Sequence, residues 1–198
     1  FLQPNINFDE RRELAQVVGS AIGRRQDQIL LDALATASAG STVANTVVTS
    51  GSATASDLNM GKIIAAKKAL DAKNVPAEGR HMIIHANNLA ALLGDERAIS
   101  SDFQTIRALV SGQLSSMMGF QFHILGDRDE GGLSIDGSSD RTCFAFHTSA
   151  VGVAVGIPAS TEINYIAEKT SFLVTGKLSM GSVVIDTDGL VDVTCRES

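Results

Sequence analysis

Leu14, Val17, Val18, Ala21, Ile22, Ile29, Leu30 and Leu34 recur at intervals of three and four, with Arg11, Arg12, Arg24, Arg25, Gln26 and Asp27 mostly between them. That is the period of an amphipathic helix. Asn7 can cap it, with Glu10 in the capping-box position and Asp9 in the first turn, where the helix dipole favours an acid. No proline follows until Pro76 and Gly40 offers a stop, so the pattern predicts a helix of about 30 residues, roughly 45 Å long. Gly19 and Gly23 lie inside it, each costing about 1 kcal/mol relative to Ala. Either another element approaches their backbone closely or the helix simply tolerates them.

From Ala35 to Ser56 the chain is rich in Ala, Ser, Thr and Gly, a connector with one short β-branched run at Thr46 to Thr49. Asp57 then caps a second predicted helix ending near Asn74, with Met60, Ile63, Ile64 and Leu70 as its apolar stripe and Lys62, Lys67, Lys68 and Lys73 as its solvated side. Arg80 to His85 reads as a buried strand, followed by a short helix from about Asn87 to Gly94 and another from Ser101 through Val110 to Gly112. Phe120, Phe122 and Ile124 alternate with Gln121 and His123, the period of a strand over Phe120 to Leu125. Gly126 to Arg141 is a polar, acidic, glycine-rich loop. The rest is β-like: Thr142 to His147, Ala150 to Val155, Thr161 to Ile166, Phe172 to Met180, Val183 to Ile185 and Leu190 to Thr194, with Asp188-Gly189 as a hairpin signal. Helices first, strands last and a mixed region between predict an α+β chain with two sub-domains.

Composition narrows the function classes. The 198 residues are long enough to bury roughly 70% of the surface of the unfolded chain without disulfides or metals. A net charge of -6, with 16 basic residues dispersed along the chain, provides no general polyanion-attracting field, although a local basic strip remains open. Cys143 and Cys195 are 52 positions apart and fit no zinc-ligand spacing, so they read as reduced, partly buried thiols of a cytosolic product. The longest small or apolar run, Ala150 to Ala159, is far short of the roughly 20 residues of a membrane helix. No signal peptide is in view, and the start at Phe1 reads as a cut end.

The candidate chemistry is thin. Gly61-Lys62 and Gly176-Lys177 fail as phosphate loops, because Ile63 and Leu178 follow where Ser or Thr should hold magnesium, and Ser56 and Ser171 replace the required earlier glycine. A basic face on the second helix could bind phosphate, though lysines on a solvated face need no ligand. His81 and His85 are four apart, but in a strand they stand roughly 13 Å from one another, too far to share an ion. His123 and His147 could approach in space, without an obvious carboxylate partner in sequence. Asp127-Arg128-Asp129-Glu130-Gly131 resembles the start of a calcium loop, but Ser138 stands where the bidentate acid belongs. No residue is assigned a catalytic, cofactor-binding or metal role, and no cofactor is expected. The reading is a binding or structural protein, not an enzyme.

The order of segments resembles the major capsid proteins of tailed bacteriophages, the Hong Kong 97 fold. Ala21-Ile22-Gly23-Arg24-Arg25-Gln26-Asp27-Gln28-Ile29-Leu30-Leu31-Asp32-Ala33-Leu34 looks like the end of that family's long spine helix. Lys67-Lys68-Ala69-Leu70-Asp71, Val75-Pro76, the strand at Arg80 to His85, and Ala108-Leu109-Val110-Ser111-Gly112 leading to Met118-Gly119-Phe120 look like its axial domain. Phe144-Ala145-Phe146-His147, Ala150-Val151-Gly152 and Met180-Gly181 look like its closing part.

The resemblance implies a peripheral domain in residues 1–45, where the end of an extended loop meets the spine helix, an axial domain in 46–160 and return β-strands of the peripheral domain in 161–198. It further implies a coat protein that self-assembles, through hexameric and pentameric capsomers, into the icosahedral head enclosing the genome of a tailed double-stranded DNA phage. Assembly would take place in the host bacterial cytoplasm, with scaffold, decoration and portal proteins as partners, only non-specific contact with packaged DNA, and no membrane. The Gly126 to Arg141 loop would project near the capsomer axis or onto a shell face, and Arg24 and Arg25 would contact a neighbour, packaged DNA or a surface acid. The alternatives are an encapsulin-type nanocompartment shell, and a small α/β enzyme using His81, His123 or His147 with a loop acid.

Overall fold

The computed structural model describes residues 10–37, 39–94, 116–169 and 171–197. The cap expected at Asn7 and the helix expected from Ser101 lie outside the described residues. The elements in chain order are α1 (Glu10–Thr36), β1 (Ser41–Val43), α2 (Met60–Ala72), β2 (Arg80–His85), α3 (Ala86–Gly94), β3 (Ser116–Met117), β4 (Phe120–Leu125), β5 (Asp140–His147), β6 (Val151–Ile166), β7 (Ser171–Val184) and β8 (Leu190–Arg196).

Six strands form one mixed sheet in the order β1-β8-β5-β2-β4-β3, and β6 and β7 form a separate two-stranded ribbon. Strand alternation gives the large sheet two apolar faces. On one, Met82, Ile84, Phe120 and Val193 pack with Ile63, Ala66 and Leu70 of α2 and Leu92 of α3. On the other, Ile83, Phe144, Phe146 and Leu190 meet Leu31 and Leu34 from the end of α1, with Leu133 from the loop before β5. Burial on both faces explains the consecutive apolar residues Met82, Ile83 and Ile84 at the centre of β2. Met118 and Gly119, both at positive φ (54° and 88°), make the tight turn between β3 and β4.

Several local expectations are corrected by tertiary partners. The short strand lies at Ser41–Val43, where β8 supplies a parallel partner, and not at Thr46 to Thr49. The latter segment is a loop, whose Val47 carbonyl accepts hydrogen bonds from the Asn59 amide and the Ser56 hydroxyl. Asn59 caps α2, its side chain accepting from the Lys62 backbone N–H at 3.1 Å, while Asp57 instead accepts from Leu58 N. Ile64 is 46% exposed, and Lys62, assigned above to the solvated side, is fully buried.

The two pairs of short strands expected on either side of Gly156–Ser160 and Gly181–Ser182 are single long strands. β6 continues through Gly156 and Pro158 by taking two register shifts, the form in which a strand accommodates a proline that lacks an N–H. Asp188-Gly189 forms no hairpin. Residues 187–189 make one 3₁₀ turn, capped by Asp186, that carries the chain from the ribbon into the large sheet, where β8 pairs with β1 and β5. Of residues 161–198, β7 packs on α1 and β8 lies between β1 and β5 in the large sheet. A Cβ added at Gly19 or Gly23 would meet nothing within 4 Å, so no close packing requires glycine at either position.

Candidate assembly interface

The candidate chemical groups are mostly engaged in structure. Lys62 donates to Ser56 O at 2.5 Å and Thr194 O at 3.0 Å, tying the connector to β8, and burial lowers its pKa. Lys177 pairs with Glu162 at 2.6 Å across the ribbon. Cys143 and Cys195 are buried on adjacent strands, and the Cys143 thiol donates to Asn88 Oδ1 at 3.3 Å. Hydrogen bonding with Cys195, together with burial, pushes the Cys143 thiol well up, which disfavours the reactive thiolate.

The histidines divide three ways. His147 makes hydrogen-bond contacts with Ser149 Oγ (2.7 Å) and Glu78 O (2.8 Å). His85 is buried, 3.4 Å from Asp127 and 3.5 Å from Glu197. His123 meets His81 rather than His147, at 3.0 Å, and burial followed by the charges of His123 and His147 lowers the His81 pKa.

A polar cluster that sequence reasoning missed surrounds Arg141. Its guanidinium is 1% exposed and pairs with Glu197 at 2.6 Å and Asp127 at 2.9 Å, while also donating to Leu133 O. Burial opposes the charge of Glu197, but Arg141 and Asn87 hold its carboxyl below the usual range. No sequence signal marks this cluster, because its members come from the loop, β5 and the end of the chain. It explains what the acidic loop does. Asp127 is an ion-pair partner, Glu130 pairs with Arg25 at 3.4 Å, and Gly131 N donates to Gln28 Oε1 at 2.9 Å. The first part of the loop is thus held against α1, residues 134–139 are exposed, and Arg25 makes a surface ion pair with Glu130. Between α1, the loop and β5 lies a cleft of about 510 Å3, bordered by Asp32, Asp136 and Asp140.

The large unpartnered feature is apolar. β7 turns its even-numbered residues toward α1: Gly176 lies so close that a Cβ there would be 2.7 Å from Ile22 and 2.8 Å from Val18, and Ser182 donates to Ile29 O. On β6, Val153, Val155, Ile163 and Tyr165 pair with Ser182, Met180, Val174 and Phe172 of that row. Directly paired residues share a face, so these side chains point to the α1 side as well. Yet α1 runs along β7 and leaves them half uncovered, at 51%, 53%, 44% and 56% exposure. The rings of Tyr165 and Phe172 pack at a tilt of 55° with centroids 5.2 Å apart, and α1 carries exposed Leu14 and Val17. Val153 with Val155 and Ile163 with Tyr165 thus form two exposed apolar pairs on this face, and grouped exposed apolar side chains mark an interaction surface.

The family model for "Phage capsid protein" matches residues 3–197. The chain belongs to the phage capsid protein family. No curated protein matches it in sequence. Among solved structures, a protein of Mycobacterium phage Che8 superposes with a TM-score of 0.61 at 20% identity, over 88% of this chain and 59% of that one. The capsid structure of cyanophage P-SCSP1u matches with a TM-score of 0.70 at 16% identity, over 98% and 68%. The encapsulin of the holo-SrpI complex from Synechococcus elongatus matches with a TM-score of 0.55 at 15% identity, over 97% and 67%. The capsid protein described here therefore has the Hong Kong 97-type fold, within the α+β class, and spans 59% of the length of its Che8 counterpart.

Proposed function

We propose that this chain is the major coat subunit of a tailed double-stranded DNA phage, a non-enzymatic protein that self-assembles into hexameric and pentameric capsomers of an icosahedral head. The family match over residues 3–197 carries the reading, and the half-covered apolar pairs along β6 supply a surface for contacts repeated by symmetry. In this reading α1 with the β6–β7 ribbon is the peripheral unit, and the six-stranded sheet with α2 and α3 is the axial unit. The protein resides in the virion and assembles in the host bacterial cytoplasm with scaffold, portal and decoration proteins. Its net charge of -6 limits contact with packaged DNA to non-specific patches.

The encapsulin fold match favours one alternative, a shell around a cargo protein. Electron microscopy of the natively expressed full-length product tests both. Closed, uniform shells are expected; nucleic acid inside supports the phage head, and protein cargo inside supports the nanocompartment. A monodisperse monomer or dimer would overturn both.

A further inference from the structure

We propose that His81 and His123 form a binding site for one divalent transition-metal ion of the zinc, nickel or copper class. The two residues lie on parallel neighbours β2 and β4, with His81 opposite Gln121 and His123 opposite Ile83. Their rings therefore meet diagonally on one face of the sheet, with centroids 5.1 Å apart and planes inclined by 34°. His81 Nδ1 and His123 Nε2 face each other at 3.0 Å. Two imidazole nitrogens about 2.1 Å from a common ion, at a bond angle of about 90 to 109°, stand roughly 3.0 to 3.4 Å apart. The observed spacing is already that of adjacent ligands on one ion, so binding needs only a small opening of the pair.

The surroundings suit this role. Phe146 lies against His81 with ring centroids 5.8 Å apart and limits its rotation, while His123 is exposed and keeps the site open to solvent. Burial holds His81 toward its neutral form, the form that ligates. His147 is occupied by Ser149 and Glu78, and among the described residues no group of three His, Cys, Asp or Glu side chains converges to hold an ion. Water completes the coordination, and imidazole donors select for zinc, nickel and copper over magnesium and calcium.

The proton balance is simple. In the neutral pair one facing nitrogen carries the proton of the 3.0 Å contact; on metal binding that proton moves, through solvent, to the far nitrogen of the same ring. Both facing lone pairs then bind the ion with no net proton released. The site does not depend on the capsid reading, and its failure would leave that reading untouched.

The test is titration of the full-length protein with zinc or nickel chloride in a non-coordinating buffer, followed by calorimetry. Saturable binding of one ion per chain is expected, weakened about tenfold or more in His123→Ala and in His81→Gln. Because either variant could perturb folding, imidazole NMR of the wild-type protein with sub-stoichiometric copper(II) gives a second readout. Broadening confined to His81 and His123 is expected. Absence of saturable binding, unchanged affinity in both variants, or broadening centred on His85 or His147 would overturn the proposal.

Discussion

Asp192 sits on β8, between the neighbouring strands β1 and β5, with Oδ1 buried and without a hydrogen-bond partner among the described residues, and burial raises its pKa. A carboxyl held above its unfolded value costs stability at neutral pH, and the cost fades as pH falls through the folded value toward the unfolded one near 3.8. Asp192→Asn is expected to raise the urea midpoint at pH 7, by less than the about 1–3 kcal/mol of a fully buried orphan because solvent screens part of the group, and to give no gain near pH 3. Asp140 has the opposite sign. Hydrogen bonds from Arg196 and Asn45 hold its carboxyl at about 2, so its contribution is complete above the unfolded value of 3.8 and is lost as pH falls through about 2. Acid titration of Asp140→Asn followed by circular dichroism should show a shallower loss of stability between those limits than the wild-type protein.

At the level of elements, the join between α1 and the ribbon is set by one close approach. Gly176 leaves no room for a Cβ beside Ile22 and Val18, whereas Gly19 and Gly23 face open space. Gly176→Val is therefore expected to push α1 off β7 and cost about 1–3 kcal/mol, while Gly23→Ala is expected to stabilise the subunit by up to about 1 kcal/mol. Chemical denaturation of the two unassembled variants measures both. The sequence marks Gly23, inside a predicted helix, as the suspicious glycine; only the packing identifies Gly176, because the constraint comes from side chains more than 150 positions away.

For the whole molecule, the α1-facing row of β6 is one apolar surface that the fold leaves half covered. Charges at its centre should block association without unfolding the subunit, since those positions are already about half exposed. Val155→Asp combined with Ile163→Asp is expected to retain the wild-type circular dichroism spectrum and to run as a single subunit by light scattering under conditions where the parent assembles. Assembly as efficient as that of the parent would show that copies meet elsewhere. The first part of the acidic loop acts at the same scale: Asp127, Glu130 and Gly131 join it to Arg141, Arg25 and Gln28, so a segment that reads as solvated is part of the support beneath α1.

Periodicity located α1 and β4, and apolar runs with turn and stop signals located β2, α3 and most of the C-terminal β residues. The order of those segments also made the capsid resemblance legible before any contact was known. The sequence could not show that Gly156-Ile157-Pro158 continues a strand, since β7 supplies the ladder across the bulges. Nor could it place Ser41–Val43 and Leu190–Arg196 side by side in one sheet, with Lys62 buried between two carbonyls and His81 against His123. Those outcomes depend on hydrogen-bond partners and close packing supplied by residues distant in the chain, which no local pattern encodes.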